Sequence, residues 1–254
     1  MNNFPIAGID GCPGGWIVVV RERPGRPAKV ERIDRIGNLF ERGAPPKVAA
    51  IDIPIGLPDR TGPKGRTPER LVRSYLGERQ SSVFSIASRA AVYAGVDPAI
   101  PEADRYRRAS ARARETSEEQ KAIAKQAFHI FPKIVEVDAF LRARADLVPR
   151  FYECHPEVTF WAMNGERPLT EPKRVKGRLY APGLDRRRRL LATEDFDEAI
   201  MSEELARALK AGADDLIDAC AACWTAARVA EGKAISFPDP PERDAFGLPI
   251  AIWA

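Results

Sequence analysis

The chain has 254 residues, of which 44% are hydrophobic and 30% charged, and its net charge is +4. A chain of this length and composition can bury the core of one large domain, and we treat residues 1–254 as a single unit. No apolar run is long enough to cross a membrane, and the first residues, MNNFP, lack the basic region of a signal peptide. We therefore expect a cytoplasmic protein without a membrane partner.

The four cysteines are too few for a disulfide scaffold. Cys220 and Cys223 form a lone C-x-x-C pair inside a helical pattern. A structural zinc ion needs four ligands, so two more would have to come from elsewhere. We expect both cysteines to pack as small buried side chains.

The first predicted element is a β-hairpin over residues 6–20, IAGIDGCPGGWIVVV, in which two apolar runs flank a Gly/Pro turn. It places one carboxylate, Asp10, at the end of the first strand. A carboxylate at that position is costly unless it faces a cleft and has a partner. The hairpin therefore indicates that other groups gather around Asp10.

Further along, residues 29–33 predict a third strand, and KVAAIDIP at 47–54 predicts a central strand with Asp52 near its carboxyl end. Ligand-binding residues in such sheets gather at the carboxyl ends of strands, and Asp10 and Asp52 both fit that rule. Residues 59–150 are predicted to form a mainly helical insertion into the α/β core.

The chain returns to a strand at residues 151–158, FYECHPEV, which contain Glu153, His155 and Glu157. A basic loop follows over residues 170–185. Helices are then predicted over 186–192, 195–210 and 214–231, and an extended tail over 235–254. In the last helix Asp215 and Asp218 are three residues apart, so they share one face.

Several carboxylates brought close together repel one another, and a divalent cation removes that cost. Mg²⁺ and Mn²⁺ prefer oxygen ligands, so either ion is the expected cofactor. Two such ions can activate a water and stabilise the leaving oxygen during phosphodiester cleavage. In that arrangement Asp10 bridges the two ions, and Asp52, Asp215 and Asp218 complete the ligand set.

The chain resembles the DUF429 family of predicted nucleases, which have a ribonuclease H-like fold. The segments that carry the resemblance are GIDGCPGGW (8–16), AAIDIPIGLP (49–58), GERQSSVFS (77–85), KQAFHIFPKIVEVD (125–138), YECHPEV (152–158) and DDLIDACAACWTA (214–226). The resemblance implies an α/β fold with a mixed five-stranded sheet flanked by helices. It also implies one acid on the first strand, one on the fourth and a pair on a late helix, which Asp10, Asp52, Asp215 and Asp218 match.

Other candidates are less specific. Glu153 is predicted to be a further catalytic ligand, whereas an acid at the position of Glu157 is favoured by a helix start alone. His155 is either a proton carrier or a hydrogen-bonded structural residue. Arg79, Ser81, Ser82, Lys133 and Arg89 could contact a substrate phosphate. The four arginines at 186–189 either track a nucleic-acid backbone or form a solvated helix edge.

Three functions therefore remain open. The first is a Mg²⁺- or Mn²⁺-dependent nuclease that has DNA or RNA as its partner. The second is an actin-like ATPase or kinase, which shares a first-strand acid and hairpin, although no P-loop or second phosphate loop is evident. The third is a non-catalytic adaptor on a nuclease fold.

Overall fold

The computed structural model describes residues 3–41 and 43–254. Its centre is a mixed sheet of five strands in the order β3-β2-β1-β4-β5. The strands are β1 (Ile6–Cys12), β2 (Gly15–Arg21), β3 (Lys29–Ile33), β4 (Val48–Ile51) and β5 (Phe151–Glu153). β1, β2 and β3 are antiparallel, whereas β4 and β5 run parallel to β1. This confirms the predicted α/β architecture.

The predicted hairpin is present, and its turn consists of Pro13 and Gly14, because the register of β1 and β2 extends to the pair Cys12–Gly15. Gly14 has a φ of +70°, a conformation that glycine adopts without steric cost. On the other side of β1 the register pairs Ile9 with Ile51. The hairpin thus fixes which residues of β1 face each side of the sheet.

Helices cover both faces of the sheet. They are α1 (Thr67–Arg73), α2 (Arg89–Ala94), α3 (Glu102–Glu115), α4 (Lys125–His129), α5 (Phe131–Ala143), α6 (Pro156–Met163), α7 (Ala181–Ala192), α8 (Glu203–Ala208) and α9 (Ala213–Ala230). Short 3-10 helices lie at Ile36–Leu39, Gly77–Ser82, Ala145–Arg150 and Glu198–Met201. Ile9 and Ile51 belong to the core on the α2–α5 face, and Ile6 and Ala50 to the core on the α9 face. The period-two alternation of the strands produces both cores.

Helix α9 is the main support of its face. It contacts β1, β2 and β4 together with α6, α7 and α8. Its small residues allow close packing, and Cys220 and Cys223 are both fully buried against the sheet as free thiols. The expected role of these cysteines as small core residues agrees with this packing.

The segment between β4 and β5 is helical, as predicted. It contains α1 to α5, with an irregular stretch over 116–124 and a change of helix at Ile130, just before Pro132. α1 packs against β8 (Ser236–Arg243) and β9 (Pro249–Trp253), which form a separate antiparallel hairpin. The description of 59–150 as an insertion into a single domain stays a prediction.

The tail predicted as extended chain is extended, and its two strands pair as the β8–β9 hairpin. Two other local predictions were wrong. The helix predicted over 195–210 is interrupted, because Ser202 accepts a hydrogen bond from Leu205 N and starts a new helix, α8. The predicted loop contains the small hairpin of β6 (Arg174–Val175) and β7 (Arg178–Leu179), whose turn residues Lys176 and Gly177 have φ values of 50° and 77°.

None of the helices in the described part of the chain is long and apolar enough to span a membrane.

Candidate active site

Asp10 and Asp52 lie side by side at the carboxyl ends of neighbouring parallel strands. Asp52 N donates to Ile9 O at 2.9 Å, which continues the β1–β4 register by one residue. Asp10 is two residues beyond Gly8 and therefore shares its face of the sheet. Gly8 faces α9, because a Cβ at position 8 would lie 1.9 Å from Cys223 N and 2.2 Å from Ala219 O. Both acids therefore face α9.

The same contact predicts which residues of α9 meet Asp10. Two residues of strand advance by about 6.6 Å, which equals roughly four residues of helix at 1.5 Å each. Four residues toward the start of α9 from Ala219 is Asp215, and Asp218, three residues after Asp215, lies on the same face. The charges of Asp52, Asp218 and Asp215 all act on Asp10, as this geometry requires.

Burial and mutual repulsion shape the protonation of these carboxylates. Burial first, and then the charges of Asp52, Asp218 and Asp215, raise the pKa of Asp10 well above its usual value. Burial and the charge of Asp218 raise the pKa of Asp52 to about 8. Burial also raises the pKa of Asp215 to about 6 and that of Asp218. Asp10 and Asp52 line a cavity, and carboxylates with perturbed pKa values at such a place are typical of a functional site.

Asp218 and Asp215 differ in how their oxygens are used. Asp218 is 2% exposed, and its Oδ1 has no hydrogen-bond partner among the described residues. Its Oδ2 accepts a hydrogen bond from the Lys173 ammonium. Asp215 Oδ2 accepts from Gly212 N at 2.8 Å and so caps the start of α9. Asp215 thus has a structural function, which leaves Asp218 as the acid with an unused buried oxygen.

These side chains fit a divalent cation in chemistry. The donors are carboxylate oxygens, which Mg²⁺ and Mn²⁺ prefer, and Asp218 Oδ1 is a buried acceptor without a donor. As they stand, however, no three His, Cys, Asp or Glu side chains within 3–41 and 43–254 are placed to hold one ion. Binding therefore requires side-chain rotation that brings the carboxylates to a common point.

Glu153 lies in the same cavity, but its carboxylate belongs to a buried ion-pair network. Its Oε1 accepts from Arg66 Nη2 at 2.5 Å, and its Oε2 accepts from Ile55 N at 2.7 Å and Arg66 Nη1 at 3.1 Å. Arg66 also binds Glu69 at 2.6 Å. Burial still raises the pKa of Glu153 to about 7. Both oxygens are occupied, so these contacts give no support to a role for Glu153 on substrate.

His155 and Glu157 also make structural contacts. His155 Nδ1 accepts from Glu157 N at 3.2 Å and caps α6, and its Nε2 lies 3.4 Å from Ser82 O. Burial lowers the pKa of His155 to about 4, so the ring is neutral near pH 7. The buried Glu157 accepts from Arg187 Nη2 at 2.6 Å. These contacts favour the structural role of His155 over that of proton carrier.

The predicted phosphate-binding residues line the same cavity as Asp10 and Asp52. The cavity measures about 560 Å³, and Arg79, Ser81, Ser82 and Lys133 all lie on its wall. Lys133 Nζ donates to Gly15 O at 2.5 Å and lies 4.2 Å from the centre of the Trp16 ring. The wall of the cavity thus contains both carboxylates and cations.

The structure does not support two other predictions about arginines, one for Arg89 and one for the run 186–189. Arg89 is engaged by Asp138 and Asp244 and is absent from the residues that line this cavity. Within the run 186–189, Arg187 is fully buried and donates to Glu171 O and Gly183 O as well as to Glu157. A fully buried guanidinium neither tracks a nucleic-acid backbone nor forms part of a solvated edge, so both interpretations are wrong for Arg187.

A family model described as a protein of unknown function, DUF429, matches residues 8–243. The chain belongs to the DUF429 family. The matched region contains Asp10, Asp52, Asp215 and Asp218. No curated protein matches the chain, and no solved structure matches it.

The sequence reasoning missed two cations that line the cavity of this DUF429 protein, Lys173 and Arg174, and the side chain of His129 beside them. Lys173 and Arg174 belong to the basic loop, whose charge was visible in the sequence. The position of this loop against α9 depends on a tertiary contact. Arg174 donates hydrogen bonds to both carboxylate oxygens of Asp214, at 3.0 and 3.1 Å. In the sequence, the high density of basic residues in this loop was the only sign that Lys173 and Arg174 could line the cavity.

Proposed function

We propose that this protein is a metal-dependent nuclease that hydrolyses nucleic-acid phosphodiesters and has a ribonuclease H-like fold. The fold assignment is supported by the five-stranded mixed sheet and by the location of the acids on β1, after β4 and on α9. Inference from fold to activity is analogy, so the function rests on the site itself.

The observation that carries the proposal is the meeting of four carboxylates at one end of the sheet, with a buried oxygen of Asp218 unused. Burying carboxylates together is unfavourable for stability, and a protein retains such an arrangement where function requires it. Asp10, Asp52 and Asp218 would hold Mg²⁺ or Mn²⁺, with Asp215 at the edge of the set. When bound, the cation activates a water molecule and stabilises the negative charge that develops on the phosphate.

The remaining wall of the cavity suits a phosphodiester. Arg79 and Lys133 are cations on that wall, and Ser81 is exposed beside them. Ser82 donates its hydroxyl to Arg79 O at 2.6 Å, which stiffens this wall. These groups can bind and orient a phosphate in the cavity that Asp10 and Asp52 also line. DNA or RNA is accordingly the proposed partner, and the cytoplasm the proposed location.

The actin-like alternative is less well supported by the first hairpin. A phosphate cradle needs several free backbone N–H groups. Here the β1–β2 turn has two residues, and Pro13 has no N–H to offer. Pro13 O instead accepts from Arg32 Nη2 at 2.8 Å. The adaptor alternative does not explain why four carboxylates are kept together around a single ammonium, that of Lys173.

The test is a cleavage assay with Mg²⁺ or Mn²⁺ on single-stranded DNA, duplex DNA, branched DNA, RNA and RNA–DNA hybrid. The native protein should cleave at least one of these, and Asp10→Asn should reduce the rate by about 100-fold or more. Asp59→Asn is the matched control, because Asp59 is exposed. Metal-dependent cleavage that Asp10→Asn leaves unchanged would be attributed to a contaminant and would contradict the proposal.

A further inference from the structure

Lys173 is the cation that enters the carboxylate cluster. Its Nζ donates to Asp218 Oδ2 and lies 3.7 Å from Asp214 Oδ2. Its charge acts on Asp10, Asp52 and Asp215 as well as on Asp218, and in each case it favours the ionised carboxylate. Lys173 therefore offsets part of the mutual repulsion that a metal ion would otherwise have to remove.

The position of Lys173 is fixed by the fold on both sides of the residue. Pro172 packs so tightly on α7 that a Cβ at Gly183 would lie 2.0 Å from Pro172 O. Lys173 O accepts from Tyr180 N at 3.0 Å, which closes the base of the β6–β7 hairpin. The neighbouring Arg174 is anchored on Asp214. These contacts distinguish Lys173 from a mobile surface lysine.

The two carboxylate oxygens of Asp218 differ in their hydrogen bonding. Lys173 holds Oδ2, whereas the buried Oδ1 has no partner in the described chain. A carboxylate of this kind can give its free oxygen to a metal ion without releasing the lysine. The ammonium already supplies one positive charge to the cluster, so once one divalent cation is bound a second would be repelled by both charges.

We infer that the carboxylate cluster binds one divalent cation, and that the ammonium of Lys173 supplies the positive charge of a second. The inference rests on the proposed function and makes it more specific, since the expected two-ion centre becomes one ion and one lysine. Lys173 also lines the cavity, so its ammonium can contact the substrate phosphate. Lys173 would then be a further catalytic residue.

Calorimetry with Mn²⁺ tests the inference without an activity readout. The native protein should bind one Mn²⁺. Lys173→Met removes the charge at similar length, and it should bind two ions or bind one at least tenfold more tightly. Lys173→Arg keeps the charge and should retain the native stoichiometry. Lys176→Met is the matched control, because Lys176 is exposed in the turn of the same hairpin.

Each result decides the question. Two ions on the native protein would overturn the inference but leave the metal-dependent nuclease intact, and this result needs no variant to fold. One ion on both native protein and Lys173→Met, with unchanged affinity, would likewise remove the special role of Lys173. Binding by Lys173→Met alone would overturn the inference, because the native cluster would then hold no cation while Lys173 is present. Binding by neither protein would overturn the proposed function together with the inference.

Discussion

Gly8 lies directly against the backbone of Cys223, where a Cβ at position 8 would stand 1.9 Å from the Cys223 nitrogen. The contact brings β1 and α9 closer than side chains normally allow. It also sets the height of α9 along the strand, and hence the position of Asp215 and Asp218 relative to Asp10. One glycine therefore controls the geometry of the carboxylate cluster.

Gly8→Ala is expected to destabilise the protein by about 3 kcal/mol, since the added methyl group meets backbone atoms that cannot rotate away. This corresponds to a fall in Tm of roughly 6 to 12 °C for a chain of this size. The soluble variant should also lose Mn²⁺ affinity, because α9 must shift. Thermal unfolding followed by circular dichroism, with calorimetry on the folded fraction, measures both effects.

Gly43→Ala serves as the comparison. A Cβ at Gly43 meets nothing within 4 Å. This variant should be as stable as the native protein or slightly more stable, because alanine restricts the unfolded chain. Equal stability of Gly8→Ala and Gly43→Ala would show that β1 and α9 are not in the close contact described.

Asp52 should make the stability of the metal-free protein depend on pH. Its folded-state pKa of about 8 lies above its ordinary value of 3.8. The folded state therefore binds more protons than the unfolded state between these pH values, and stability falls as pH rises from about 4 to 8. Urea unfolding in EDTA at pH 5, 6.5 and 8 should show this decline, and Asp52→Asn should reduce it and raise Tm at pH 8 by a few degrees.

Asp59→Asn should leave the slope of stability against pH unchanged, since Asp59 is exposed. Saturating Mn²⁺ should stabilise the native protein more at pH 8 than at pH 5, because metal ligands must be deprotonated. A native protein whose stability in EDTA rises from pH 5 to 8 would contradict the assigned environment of Asp52.

Glu153 is predicted to act on stability and not on metal binding. At pH 8, above the Glu153 pKa of about 7, Glu153→Gln leaves the buried Arg66 with one carboxylate partner, Glu69, where it had two. Breaking a buried ion pair costs about 3 kcal/mol or more. Urea unfolding should detect this loss, whereas the Mn²⁺ stoichiometry of the folded variant should equal that of the native protein. A variant of native stability that no longer binds Mn²⁺ would restore Glu153 to the ligand set.

His155 should stay neutral down to acidic pH. Its folded-state pKa of about 4 is below the ordinary value of 6.5, so the unfolded state binds more protons in this range. The contribution of His155 to stability therefore decreases as pH falls from about 6.5 to 4. NMR of the ring nitrogens should find Nε2 protonated and Nδ1 unprotonated at pH 6. The chain has two histidines, so His129→Gln assigns the signals. A doubly protonated ring at pH 6 would contradict the assignment.

The sequence was sufficient to predict the acids that regular elements position. Asp10 and Asp52 follow from strand ends, and Asp215 and Asp218 from helical spacing, because these periodicities are local properties of the chain. The strands of the sheet and the limits of α9 were predictable for the same reason. The order in which elements pack could be inferred only through the family resemblance.

Residues that depend on tertiary contacts were not predictable. Arg187 belongs to a run of four arginines that reads as exposed, yet it is fully buried on Glu157. Lys173 reads as one of several loop cations, and its partner Asp218 is 45 residues away in the chain. Glu153 was predicted to be a ligand from its place in the sequence. In the structure, Arg66 from a glycine-rich loop donates hydrogen bonds to both of its carboxylate oxygens. The number of charged residues in a segment does not determine which residue each of them contacts in the folded protein.

The two partners of the Lys173–Asp218 contact belong to parts of the chain that differ in burial. Helix α9 is surrounded by sheet and helices, so its amide hydrogens are expected to exchange only through large-scale unfolding. The hairpin that follows Lys173 is exposed and consists of the pairs Arg174–Leu179 and Val175–Arg178. Opening of such a hairpin is expected to cost little at its exposed turn, whereas its base is held by the Tyr180 N–Lys173 O hydrogen bond and by Arg174 on Asp214. The turn can therefore fluctuate while Lys173 and the framework that aligns the carboxylates stay in place.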